Sequence, residues 1–132
     1  MRFVLTALAM IGGIVFTLIG LGFLFQPEST GASLALLPDG IPGLAVMRAD
    51  MTAFFVVGGV CMIWGAWTRN GELLLVPVAL FGIAFCGRLL TVIVDGPSPQ
   101  FWLPMLVEAA TVAVTLLGSR HLPHDAVGEE HV

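Results

Sequence analysis

Four ionisable side chains stand inside stretches that are otherwise apolar: Arg48, Asp50, Arg88 and Glu108. A charge within a membrane span is expensive, so it pairs with a counter-charge or marks a ligand or ion pathway. The chemistry open to this set is ion pairing, capture of an anion by a guanidinium, and acid–base work at a buried carboxyl. Spacing relates two of them directly. Arg88 precedes the Asp95–Gln100 link, and Glu108 follows it, by nearly equal lengths of chain, so a tight helical hairpin sets both ~10 Å below its closed end. This register predicts an Arg88–Glu108 ion pair. Asp50 reaches the same level in its own stretch, and Arg48 lies slightly nearer the boundary.

Helical periodicity extends each charge into a stripe. Arg88, Thr91 and Asp95 share a face, as do Glu108, Thr111 and Thr115, and as do Arg48 and Thr52. Asp95 is thereby a second candidate partner for Arg88. Asp50 points roughly 200° away from Arg48 at ~100° per residue, so the two cannot both face one centre.

The elements that carry these charges follow from composition. The chain has 132 residues, of which 58% are hydrophobic and only 11% charged. An average soluble domain is about 25% charged. There is no Lys and no Tyr, and the net charge is −4, which excludes both a basic nucleic-acid binder and a disordered acidic chain. Four apolar stretches, 3–25, 44–67, 73–94 and 101–118, are each long enough or nearly so to cross a ~30 Å hydrocarbon core as a helix. They lack the alternation of barrel strands, and backbone groups in lipid must be satisfied within the segment. The expected fold is all-α: an integral membrane four-helix bundle over residues 1–120, with a polar acidic tail at 121–132. The first stretch is longer than a signal-peptide core and is followed by Gln26, Pro27 and Glu28 rather than a small-residue cleavage site, so it reads as a retained helix.

Arg2, Arg69 and Arg120 fall on one side of this topology, and the links 26–43 and 95–100 on the other contain no Arg or Lys. The positive-inside rule then places both termini in the cytoplasm of a bacterium, with the protein in the inner membrane. Trp64 and Trp67 would mark the inner interface and Trp102 the outer one. Asp95-Gly-Pro-Ser-Pro-Gln100 and Arg69-Asn70-Gly71 are turn chemistry that makes consecutive helices antiparallel neighbours. The link 26–43 reads as a long outer loop, in which Ser33–Leu37 could form an apolar flap over the outer mouth. Ala9, Gly13, Thr17 and Gly20, then Gly58, Gly59 and Gly65, then Ala109, Ala110 and Ala113 supply small residues for close helix packing.

Other residues read more plainly. Cys61 and Cys86 differ by over 10 Å in depth at ~1.5 Å per residue, too far for a disulfide. His121, His124 and His131 fall in the tail with Asp125, Glu129 and Glu130, which reads as a solvated acidic segment rather than a metal site. No zinc, haem, thiol-redox or phosphate-loop motif is present, so no cofactor is expected.

Arg48-Ala-Asp50 with Gly58-Gly59, Gly87-Arg88-Leu-Leu before Asp95-Gly96-Pro97, and a single Glu108 form a pattern. It resembles a bacterial family of small four-helix membrane proteins of unknown function, loosely similar to the DoxX-like group. The resemblance covers residues 3–120. It implies a four-helix bundle in which Arg48, Asp50, Arg88, Asp95 and Glu108 belong together, and it brings no established reaction.

Three functional readings remain. The first is a non-enzymatic accessory subunit, or a binder of a lipid-like amphipathic ligand, using the charged cluster Arg48, Asp50, Arg88, Asp95 and Glu108 in the outer half. Its partners would be the bilayer and a larger membrane complex or further copies of the chain. The second is a membrane-embedded enzyme on a hydrophobic substrate, with Glu108 as acid or base and Arg88 stabilising negative charge. The third is an oligomeric transporter, disfavoured by the charge-free inner half. Against all three stands a purely architectural ion-pair network.

Overall fold

The computed structural model describes residues 1–121. All of the expected acidic tail except His121 lies outside the described residues. Four helical stretches are long and apolar enough to cross a membrane: Arg2–Phe25, Gly40–Trp67, Leu75–Val94 and Trp102–His121. No strand occurs among the described residues. We number the helices α1 (Arg2–Phe25), α2 (Pro27–Ser33), α3 (Gly40–Val46), α4 (Thr52–Trp67), α5 (Leu75–Val94) and α6 (Trp102–His121), with a π-helical turn at Met47–Met51 joining α3 to α4. The distal end is the one holding Phe25, Val94 and Trp102; the proximal end holds Arg2, Trp67 and His121.

The segment 26–43 is not the loop that its composition suggests. Pro27 opens α2 at its first helical position, where a missing N–H is harmless. Ala35 in a left-handed conformation (φ 58°) closes it, with Leu34 and Leu36 both donating their N–H to the Gly31 carbonyl. The second long stretch begins at Gly40 rather than residue 44, because Pro42 falls in the first turn of α3, where proline is tolerated. Leu34, Leu36 and Leu37 stay at the surface, so the expected apolar flap is not packed down.

Close backbone approach decides the most extensive contact, α1 against α4. A Cβ on Gly13 would sit 2.7 Å from the Gly59 carbonyl oxygen, and one on Gly20 would sit 2.7 Å from Val56. Around this seam Phe16 packs on Phe55 (ring centroids 6.0 Å apart) and on Phe81 of α5 (4.5 Å), and Phe23 stacks on Phe55 at 5.8 Å. The aromatic cluster ties three helices together. α6 then contacts α1 and α5, closing a ring in which α4–α5 is the least extensive side.

α6 corrects one expectation. Its inward face is Glu108, Thr111, Thr115, Gly118 and Ser119, whereas Ala109, Ala110 and Ala113 are exposed. The hydroxyls return to their own helix: Thr111 donates to the Val107 carbonyl, Thr115 to that of Thr111, and Ser119 to that of Leu116. Self-satisfied hydroxyls pack as small residues without leaving a donor stranded. Outside, Leu18, Ile83, Ile93 and Leu106 are among many large apolar side chains more than half exposed. That apolar exterior is the surface of a multi-pass membrane protein.

Candidate functional site

The distal hairpin of α5 and α6 builds the site. α5 ends where Asp95 and Gly96 both donate their N–H to the Thr91 carbonyl, with Gly96 at φ 97°, a conformation that suits glycine. Pro97 prevents continuation of the helix. The chain reverses within a few residues, and Trp102 starts α6.

This short reversal holds α5 and α6 in register and brings Arg88 to Glu108. Arg88 Nε donates to Glu108 Oε1 at 2.5 Å. It is the one ion pair among the described residues. The partners are buried unequally: the Arg88 side chain is 48% exposed and that of Glu108 only 9%. Arg88 makes no other hydrogen bond among the described residues, so its two terminal nitrogens keep their donors. Glu108 Oε2 is buried with no partner at all.

The other three charges of the expected cluster do not join this pair. Asp95, at the C-cap of α5, is exposed and forms no ion pair, which leaves Glu108 as the partner of Arg88. Arg48 and Asp50 sit in the π-helical turn and are both exposed. Arg48 lines an open cleft with Gln26, Pro27, Glu28, Ser29 and Leu44. Thus α2, missed in the sequence, forms one wall of the surroundings of Arg48. Thr91 Oγ1 donates back to the Gly87 carbonyl and is not engaged by Arg88.

Sequence reasoning did not single out Thr52 as a site residue. Its Oγ1 is buried without a partner, one of two such side-chain atoms, the other being Glu108 Oε2. Buried polar atoms are nearly always bonded, so both mark the distal layer as incomplete. On the outward side of the hairpin, Phe85, Phe101, Trp102, Met105, Leu106 and Ala109 line an apolar cleft. Cys61 and Cys86 are free thiols. No group of three metal-ligating side chains occurs among the described residues.

Chemically, the arrangement is a guanidinium clamped at its inner nitrogen by a buried carboxylate, with its planar outer edge open. That edge matches the paired oxygens of a carboxylate or phosphate. The chain matches no known family model, no curated protein and no solved structure.

Proposed function

We propose that this chain is a four-helix bundle of the bacterial inner membrane, with both termini cytoplasmic, and that it binds a lipid-like amphipath through Arg88 without catalysing a reaction. The resemblance to the DoxX-like group belongs to the same reading. Arg2, Arg69 and Arg120 at the proximal end support the orientation, with Trp64 and Trp67 exposed there and Trp102 at the distal end. The distal half is then the outer leaflet, the layer of phospholipid headgroups and acyl chains.

One observation carries the binding role: Arg88 is held through Nε alone and is half exposed. A purely architectural pair would gain most by turning its two-pronged edge onto both carboxylate oxygens. Here one oxygen of Glu108 goes unbonded while the edge of the guanidinium faces outward. Glu108 is the positioning residue, and Arg88 is the anion anchor.

The alternative of an accessory subunit draws less support. Gly13, Gly20 and Gly59, the residues best suited to meet a partner helix, are consumed within the α1–α4 seam.

The test is native mass spectrometry of the protein extracted gently from its own membranes. The expected spectrum is a chain retaining a small anionic or zwitterionic amphipath. That mass should be lost in the Arg88→Leu, Glu108→Leu double variant, which removes both charges and strands neither. An adduct that survives the double variant overturns the role of Arg88. A bare chain overturns the binding role, and a co-purifying polypeptide in place of lipid transfers the function to the accessory-subunit reading.

A further inference from the structure

Midway along α4 and α5 the two helices meet through aromatic contact. The Phe54 and Phe81 rings lie 5.1 Å apart edge to face, and a Cβ on Gly58 would touch the Phe81 ring. Moving distally, Asp50 lies one turn beyond Phe54 and shares its face of the helix. Arg88 lies two turns beyond Phe81 and shares that residue's face. At ~1.5 Å rise per residue, both charges stand on the order of 10 Å beyond the aromatic contact, in one layer, on the faces that the two helices turn towards each other.

They nevertheless form no ion pair, and both are exposed. The seam is open at this level. Cys86, Gly87, Arg88, Leu89, Leu90 and Thr91 form an unbroken exposed run, and a Cβ on Gly87 would meet nothing within 4 Å. α4–α5 is also the least extensive helix contact in the ring. An open cleft therefore runs between a positive wall and a negative wall, and its floor is the Phe54–Phe81 pair.

From this juxtaposition we infer that the α4–α5 seam receives a zwitterionic headgroup, with a phosphate on Arg88 and a primary ammonium on Asp50. The ligand class is an amino-phospholipid of the phosphoethanolamine type. The inference rests on the proposed role of Arg88 as anion anchor and adds the second recognition element. Charge balance favours it. Arg88 is already offset by Glu108, so Asp50 leaves the layer with a net negative charge. A purely anionic headgroup would add to that charge, whereas a zwitterion supplies the ammonium that offsets Asp50. A primary ammonium also donates hydrogen bonds to a carboxylate, which a quaternary ammonium cannot.

The test compares phosphatidylethanolamine, phosphatidylcholine and phosphatidylglycerol with identical acyl chains, each added to the delipidated full chain in detergent and read by native mass spectrometry. Phosphatidylethanolamine should be retained about tenfold better than the other two, the ratio expected for one charge-assisted hydrogen-bonded contact. Asp50→Asn, at an exposed position, should remove that preference and leave basal lipid retention intact. Equal retention of the three lipids, or an ethanolamine preference that survives Asp50→Asn, overturns the inference but leaves Arg88 as anion anchor. Asp50→Asn raising phosphatidylglycerol retention above the other two also overturns it, and shows Asp50 acting only as a repulsive gate. Lipid retention unaffected by the Arg88→Leu, Glu108→Leu double variant overturns the underlying reading itself.

Discussion

Arg88 and Glu108 are joined by one hydrogen bond and separated by their surroundings: the guanidinium is half exposed, and the carboxylate is enclosed on the inward face of α6. Removing either partner has unequal consequences. Loss of Arg88 strands a buried negative charge, while loss of Glu108 frees a side chain that can reach a more polar environment.

Arg88→Ala is therefore expected to destabilise the folded protein by about 2–4 kcal/mol, slightly below the range for a fully buried pair because Arg88 is half exposed. Glu108→Leu should cost less. The Arg88→Leu, Glu108→Leu double variant should recover most of the loss. Thermal unfolding in a single detergent, followed by circular dichroism, measures all three. An Arg88→Ala protein as stable as the parent would show that the pair holds nothing together.

The α1–α4 seam predicts a contrast between glycines. Gly59→Leu drives a side chain into the Gly13 backbone and into Thr17, so the two helices must separate; the expected loss is at least about 3 kcal/mol or failure to fold. Gly82→Ala, where a Cβ meets nothing within 4 Å, should be neutral or stabilising by about 0.5–1 kcal/mol through helix propensity. Expression level and melting temperature of the two variants separate these outcomes.

Phe81 lies at the centre of the aromatic cluster, against Phe16 at 4.5 Å and Phe54 at 5.1 Å, and is almost fully buried. Phe81→Ala should destabilise by about 3–5 kcal/mol, because neighbouring rings from two other helices cannot collapse into the cavity together. Phe85→Ala, on the apolar cleft facing outward, should change stability by less than about 1.5 kcal/mol. Comparable losses at the two positions would mean that the cluster is not the core.

Orientation can be read chemically after Cys61 and Cys86 are replaced by Ala. An impermeant maleimide applied to intact cells should label Ser98→Cys, and should label Asn70→Cys only once the membrane is opened. The reverse pattern would invert the proposed topology.

Thr115 is fully buried and donates only to its own helix. Thr115→Val keeps the shape and removes a hydroxyl that has no partner on another helix, so the change in stability should stay within about 1 kcal/mol. Thr115→Leu overfills the same position and should cost about 1–3 kcal/mol. A severe loss for Thr115→Val would reveal an interhelical bond from this hydroxyl.

The existence, type and approximate limits of the four long helices were written in one dimension. Unbroken apolar length, turn residues at 95–100 and the rise of the helix determine them, and the same arithmetic brought Arg88 opposite Glu108, because a short reversal leaves little freedom of register. The small-residue stripe of α1 was equally legible, since glycine spacing along one helix is a local property. Other features depended on which surfaces meet. α6 turns Thr111, Thr115 and Ser119 inward and leaves its alanines outside, since self-bonded hydroxyls and alanines compete for the same close-packed positions and only the neighbouring helices decide between them. The segment 26–43 looked like loop because Pro and Gly punctuate it, yet those prolines fall in first turns, where helices accept them. The five-residue charge cluster likewise reduced to one bonded pair. Sequence supplies the depth of each charge, but the α4–α5 seam determines whether Asp50 and Arg88 touch, and that seam is held at Phe54 and Phe81 and open above them.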